Sequence, residues 1–157
     1  MGAAGAGKST VGAALAAALG WPFIDADDFH TAVHIERMRD GVGLSDADRG
    51  PWLARVRQAM LDHTAKHHSA VVACSALKRR YREVLTAGVD DTRLVYLEAD
   101  ETLLRNRLGE RRGHFAGPAL AATQLHDLEA PQGEAVILDA SSPPHVLVSE
   151  IRRALDL

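Results

Sequence analysis

Gly2-Ala3-Ala4-Gly5-Ala6-Gly7-Lys8-Ser9 is the stretch from which the rest of the chain can be read. It satisfies the pattern G-x-x-x-x-G-K-[ST], in which glycines let successive backbone N–H groups turn inward toward phosphate oxygens. The pattern requires a helix immediately after it, and residues 9–19 (STVGAALAAAL) have that composition, with Gly20-Trp21-Pro22 as a stop. In such a loop Lys8 reaches the β and γ phosphates, Ser9 ligates Mg²⁺, and the helix N-terminus adds the positive end of its dipole. The competing reading, a flexible Ala/Gly-rich start, needs the Lys-Ser pair and the following helix to be coincidences.

Working outward, four short apolar runs occur at 22–25 (PFID), 70–74 (AVVAC), 94–97 (LVYL) and 135–138 (AVIL). Each is β-rich and nearly unbroken by polar residues, and helical patterns stand at about 48–67, 77–87, 101–111, 117–128 and 144–155. Continuous apolar strands alternating with helices predict a parallel sheet covered on both faces. The least regular region, 26–47, leaves the carboxyl end of a strand, which is where such sheets bind ligands.

The 157 residues allow one domain. Eighteen Lys and Arg against 21 Asp and Glu leave a net charge of −3, which argues against a duplex-binding protein. Seven aromatics in all predict a core of Ala, Val and Leu with close helix–sheet packing. The single cysteine, Cys74, excludes an internal disulfide or a Cys-based metal cage and fits a reducing cytoplasm. No stretch approaches the ~20 apolar residues of a membrane span.

Asp25-Ala26-Asp27-Asp28 follows the first apolar run. Asp25 and Asp27 share one side of an extended chain, so one carboxylate can hold a Mg²⁺ water while the other accepts a hydroxyl proton. A solvated acidic turn is the plain alternative. Residues 105–112 carry four Arg and one Glu, and Arg107 and Arg111 share a helical face before Gly113-His114-Phe115-Ala116-Gly117-Pro118 breaks the pattern. That cluster can serve phosphates from beside a closing loop, or it can be a solvated helix end. Ser75, Lys78 and Arg82 follow the AVVAC run and suggest an anionic acceptor, although Ser75 also reads as a helix cap. His63, His67 and His68 read as a polar helix end rather than a metal site.

Together these segments closely resemble the gluconokinase family, small phosphate-loop kinases related in fold to shikimate and nucleoside-monophosphate kinases. The family pattern MG-x-x-G-x-GK-S/T matches Met1–Ser9, D-G/A-D-D-x-H-P matches Asp25–His30, and K-M-x-x-G-x-P-L-x-D-x-D-R-x-P-W-L matches Arg37–Leu53. C-S-A-L-K-x-x-Y-R stands unchanged at Cys74–Arg82, R-x-G-H-F matches Arg111–Phe115, and S/T-Q-x-x-x-L-E-x-P matches Thr123–Pro131. Thr31, His34 and Gly43 depart from the pattern, where the family usually has Pro, Asn and Pro.

The resemblance implies a three-layer α/β/α phosphate-loop kinase fold, an acceptor-binding region over about 26–60 and a mobile lid over about 107–120. It implies transfer of the γ-phosphoryl group of ATP to the 6-hydroxyl of D-gluconate with Mg²⁺. Gly2, Ala3, Ala4, Gly5, Ala6, Gly7, Lys8, Ser9, Thr10, Arg107 and Arg111 then serve ATP, and Lys8, Asp27 and Arg111 serve the chemistry. Asp27, His30, Arg49, Ser75, Lys78 and Arg82 hold the acceptor, and Asp25 binds Mg²⁺ through water beside Ser9. A homodimer is usual in the family. A related kinase of shikimate or another sugar acid, or a nucleotide-binding protein without catalysis, remains open at this level.

In the family a buried strand precedes the phosphate loop at the middle of the sheet, and here only Met1 precedes Gly2. Unpaired groups on two flanking strands would cost roughly 1–3 kcal/mol each if buried. The expectation is therefore an upstream segment of Val/Ile/Leu character ending at Met1, or another segment or chain in that slot. Adding the segment should raise melting temperature and activity together.

Overall fold

Helix α1 (Lys8–Leu19) starts directly on the glycine loop, and the strand β1 (Phe23–Asp25) follows it. The structure, a computed structural model, describes residues 1–67, 69–110 and 119–157. A 3-10 turn (Ala26–Phe29), α2 (Ala32–Arg39) and α3 (Asp46–His67) lead to β2 (Val71–Ala73) and α4 (Arg79–Thr86). Then come β3 (Leu94–Glu98), α5 (Glu101–Glu110), α6 (Ala119–Asp127), β4 (Ala135–Asp139) and α7 (Pro144–Leu155).

The strands pair in parallel, as the unbroken apolar runs predict. β1 lies beside β2 with Phe23 opposite Val71, and β3 lies beside β4 with Leu94 opposite Ala135. The two pairs do not join as continuous strands, and β2 and β3 face one another across a groove of about 560 Å³. Met1 enters one end of it. Its amine donates to Val95 O, and Leu97 N donates to Met1 O at 2.9 Å, the bond pair of a parallel bridge opposite Tyr96. On the other side Gly2 N donates to Ser75 O at 3.3 Å. Met1 thus pairs in the position expected of the central strand, at one end of the groove between β2 and β3.

Two apolar clusters hold the helices to these strands. Val11 and Leu15 of α1, Leu97, Leu104, Leu108, Leu147 and Ile151 form one, gathering α1, α5 and α7. Ile24, Trp52, Leu53, Val56, Cys74, Tyr81 and Leu85 form the other, gathering α3 and α4 over β1 and β2. The predicted close helix–strand packing is seen at Gly12, where a Cβ would come within 2.7 Å of the Phe23 ring. Among the described residues no helix is long and apolar enough to cross a membrane.

The structure departs from the sequence reading over 26–47, which holds the 3-10 turn and α2 rather than irregular chain. Thr31 caps α2, its side chain accepting from His34 N at 3.2 Å. Ser45 caps α3 reciprocally with Asp48: Ser45 N and Oγ donate to Asp48 Oδ2 at 2.8 and 2.6 Å, and Arg37 of α2 reaches the same oxygen at 2.8 Å.

Candidate active site

The glycine loop is shaped by contacts that only backbone can make. Gly2 has φ +146, and a Cβ there would lie 2.7 Å from Leu97 O, so the loop root presses against β3. Gly7 is the N-cap of α1 with φ 93 and supplies no side-chain cap, which leaves the first N–H groups of the helix to an external acceptor. Lys8 Nζ donates to Ala3 O at 3.0 Å, folding the lysine back over the loop. Arg107 approaches from α5, its guanidinium 3.8 Å from the position a Gly7 Cβ would take. A cavity of about 340 Å³ opens here, lined by Gly5, Gly7, Thr10, Arg107, Glu110, Ala140, Ser142 and Pro144.

These features fit a nucleotide: a glycine cradle, an uncapped helix start and Arg107 border a space of molecular size, with Lys8 folded over the same loop. Ser9 and Asp25 are the oxygen donors that the sequence offers for Mg²⁺, and they would suit a cation that needs only one or two protein oxygens beside phosphates and waters. Among the described residues no group of three His, Cys, Asp or Glu forms a metal cage.

The acid turn sits at the end of β1, beside β2. Asp25 Oδ1 accepts from Asp27 N at 3.0 Å, so Asp25 caps the turn that carries Asp27. Both Lys8 and Asp27 act electrostatically on the Cys74 thiol, which brings loop and acid turn to one locality. Burial, the larger effect, pushes that thiol up to about 11 and keeps it protonated and inert. His30 stacks on Trp52 with ring centres 4.6 Å apart and planes 11° apart, and its Nε2 lies 3.8 Å from Asp27 Oδ1. Burial, then His34, Arg49 and Arg55, lowers His30 to about 4. Its contact with Asp27 is therefore that of a neutral ring at pH 7.

The expected acceptor residues divide into two settings. Arg49 and Lys78 converge on Tyr81, their cationic groups 5.5 and 5.8 Å from the ring centre. Arg49 is buried and donates through Nε to Leu44 O at 3.1 Å, while Lys78 Nζ lies 3.4 Å from Asp46 Oδ1. Tyr81 and Arg80 both donate to the Asp46 carboxylate, and these bonds, the tyrosine's foremost, lower it to about 2. Arg82, by contrast, is committed inward. Its NH1 donates to Ala76, Leu77 and Glu129 carbonyls at 3.4, 3.3 and 3.0 Å, its NH2 lies 2.8 Å from Glu134 Oε1, and it lines the groove beside β2. The i, i+4 spacing with Lys78 does not bring the two together, because α4 begins only at Arg79 and Lys78 is its extended cap. Ser75 is no helix cap for the same reason, and its carbonyl receives Gly2 N. Arg111, His114 and Phe115, with most of the expected lid, lie outside the described residues.

Sequence reasoning assigned nothing to Gln124, yet its buried Oε1 accepts from Ala4 N at 2.7 Å and anchors the glycine loop to α6. The Thr123–Pro131 match contained the signal. The lining by Ala140, Ser142 and Pro144 carried none. Of the departing positions, Thr31 caps α2, His34 meets His30 edge-on at 5.8 Å, and a Cβ on Gly43 would lie 3.6 Å from Thr123 Cγ2.

The shikimate kinase family pattern matches residues 4–137. Gluconokinase from Gluconobacter oxydans is 38% identical over 155 residues, 98% of this chain and 87% of that protein. Thermosensitive gluconokinase from Escherichia coli is 39% identical over 134 residues, 85% and 72% of the two chains. A crystal structure of a gluconokinase from Sinorhizobium meliloti superposes with TM-score 0.86 at 40% identity, covering 99% of this chain and 89% of that one. A sugar kinase from a Janibacter species superposes with TM-score 0.89 at 36% identity, covering 99% and 91%.

Proposed function

The chain belongs to the shikimate kinase family and, within it, to the gluconokinases, and from that premise we propose that it transfers the γ-phosphoryl group of ATP to the 6-hydroxyl of D-gluconate, giving 6-phosphogluconate and ADP. The observation that supports this most is the nearness of Lys8 in the Gly2–Ser9 loop and Asp27 in the acid turn, both of which act on Cys74, with Arg49 acting on the neighbouring His30.

ATP supplies the phosphoryl group and Mg²⁺ offsets its charge. The protein's part is positioning and charge. Backbone N–H groups of the loop and of the start of α1 hold the phosphates, and Lys8, swung from Ala3 O, meets the charge that develops on the transferring group. Arg107 assists from α5. Asp27 orients the acceptor hydroxyl and takes its proton, while Asp25 holds the turn and would help to hold Mg²⁺. Arg49 and Lys78 bind the acceptor carboxylate and hydroxyls, with Lys78 exchanging its contact with Asp46. Arg111 joins the phosphates in this reading, and the cytoplasm is the setting.

Coupled ADP release with D-gluconate, ATP and Mg²⁺, run beside shikimate and a panel of other sugar acids, tests the proposal. Turnover with D-gluconate far above the panel is expected, with kcat falling about 10²–10⁴-fold in Asp27→Asn. A preference for shikimate, or nucleotide binding without turnover of any polyol acid, would overturn it.

A further inference from the structure

The four-residue turn that carries Asp27 has little internal support, since a 3-10 segment of this length closes few bonds of its own. Asp25 Oδ1 caps it through Asp27 N, His30 N donates to Asp27 O at 3.2 Å, and further bracing comes from α3. Trp52, 1% exposed, donates its indole N–H to Ala26 O at 2.8 Å. Arg55, on the next turn of α3, donates through Nε and NH2 to Phe29 O at 3.3 and 3.0 Å. The two carbonyls are those of the first and last residues of the turn, so α3 grips it at both ends and Asp27 lies between the grips. The Trp52 ring adds a third contact by stacking on His30, whose Nε2 lies 3.8 Å from Asp27 Oδ1.

We infer that Trp52 and Arg55 are positioning residues for phosphoryl transfer, setting the aim of the Asp27 carboxylate through the Ala26 and Phe29 carbonyls and the His30 ring. The inference rests on the role of Asp27 proposed above. Neither side chain need touch either substrate. An indole used only as core filler would not have to place its N–H on the acid turn, and an exposed arginine used only for solubility would not fork onto a carbonyl of it.

Trp52→Phe keeps an aromatic ring to stack on His30 and loses the donor, while Arg55→Met keeps the stem and loses the fork. Both should lower kcat with D-gluconate by about ten- to a hundredfold, the effect of a small misplacement of a reacting group, and leave KM for ATP unchanged. The discriminating measurement is the double variant: Trp52→Phe in the Asp27→Asn background should be no slower than Asp27→Asn alone, because the aim of the turn stops mattering once its carboxylate is gone. Arg55→Met at the exposed end carries the same cycle should Trp52→Phe fail to fold. Wild-type kcat in both single variants, with Asp27→Asn slow, overturns the positioning role alone. Losses that multiply in the double variants overturn it in favour of general structural damage. Asp27→Asn at the wild-type rate overturns the proposed chemistry and this inference with it.

Discussion

Replacing the Met1 amine by an amide tests the seam between the two strand pairs most directly. The amine sits between β2 and β3, donates to Val95 O, and is lowered from 8.0 to about 5, first by burial and then by Lys8. A group lowered this far binds fewer protons folded than unfolded, so stability rises as pH increases from about 5 to 8 and levels off above. The full difference between 8.0 and about 5 is worth about 4 kcal/mol in acid, of which about 1 kcal/mol persists at pH 7. N-terminal acetylation keeps an N–H for Val95 O and removes the charge. Urea melts of free and acetylated protein between pH 5 and 8 should therefore diverge toward acid, with the acetylated form the more stable. His30, also lowered, contributes the same slope between about 4 and 6.5, but equally in both forms, so subtraction isolates the amine. An apolar extension goes further: by the register of Met1 opposite Tyr96 and Ser75, about four added residues would run between Val71–Cys74 and Thr92–Val95. It should raise stability and activity together. Coincident pH curves for free and acetylated protein, or an extension that changes neither stability nor rate, would refute the seam as described.

Lys8→Ala should abolish turnover with a melting temperature near wild type, and a loss of less than about tenfold, around 1.4 kcal/mol of barrier, would count against a γ-phosphate role. Arg49→Ala and Lys78→Ala should raise KM for D-gluconate more than KM for ATP in the coupled assay, and equal effects on both would point to structural loss instead. Gln124→Leu removes the acceptor for Ala4 N and should weaken ATP binding by calorimetry more than it lowers kcat at saturation; unchanged affinity would leave Gln124 without a part in the loop.

The strands were legible because the strands of a parallel sheet read as apolar runs, and 94–97 or 135–138 can be little else, even though Ile137 is exposed. The glycine loop was legible because its residue types are dictated by backbone geometry. Helix α2 was not, since only Met38 among its eight residues is buried and no apolar period marks it; its one local signal was Thr31 as a cap. Arg82 shows a different limit. Its spacing from Lys78 says that the two would share a face if both were helical, whereas its actual commitment to three carbonyls and Glu134 depends on where residues 76, 77, 129 and 134 arrive in space. Gln124 illustrates the same point from the other side, with its partner 120 residues away.

The root of the glycine loop is hydrogen-bonded on both sides of the seam, Gly2 to Ser75 just past β2 and Met1 to Leu97 of β3. A ligand gripping residues a few positions along is thus fastened to the joint of the molecule, and its binding energy works as a rivet. At a hundredfold excess over Kd that rivet adds about 2.7 kcal/mol. Nucleotide should accordingly slow amide exchange at Leu97, buried and donating to Met1 O across the seam, so that in this protein the cosubstrate holds the two halves of its own binding platform together.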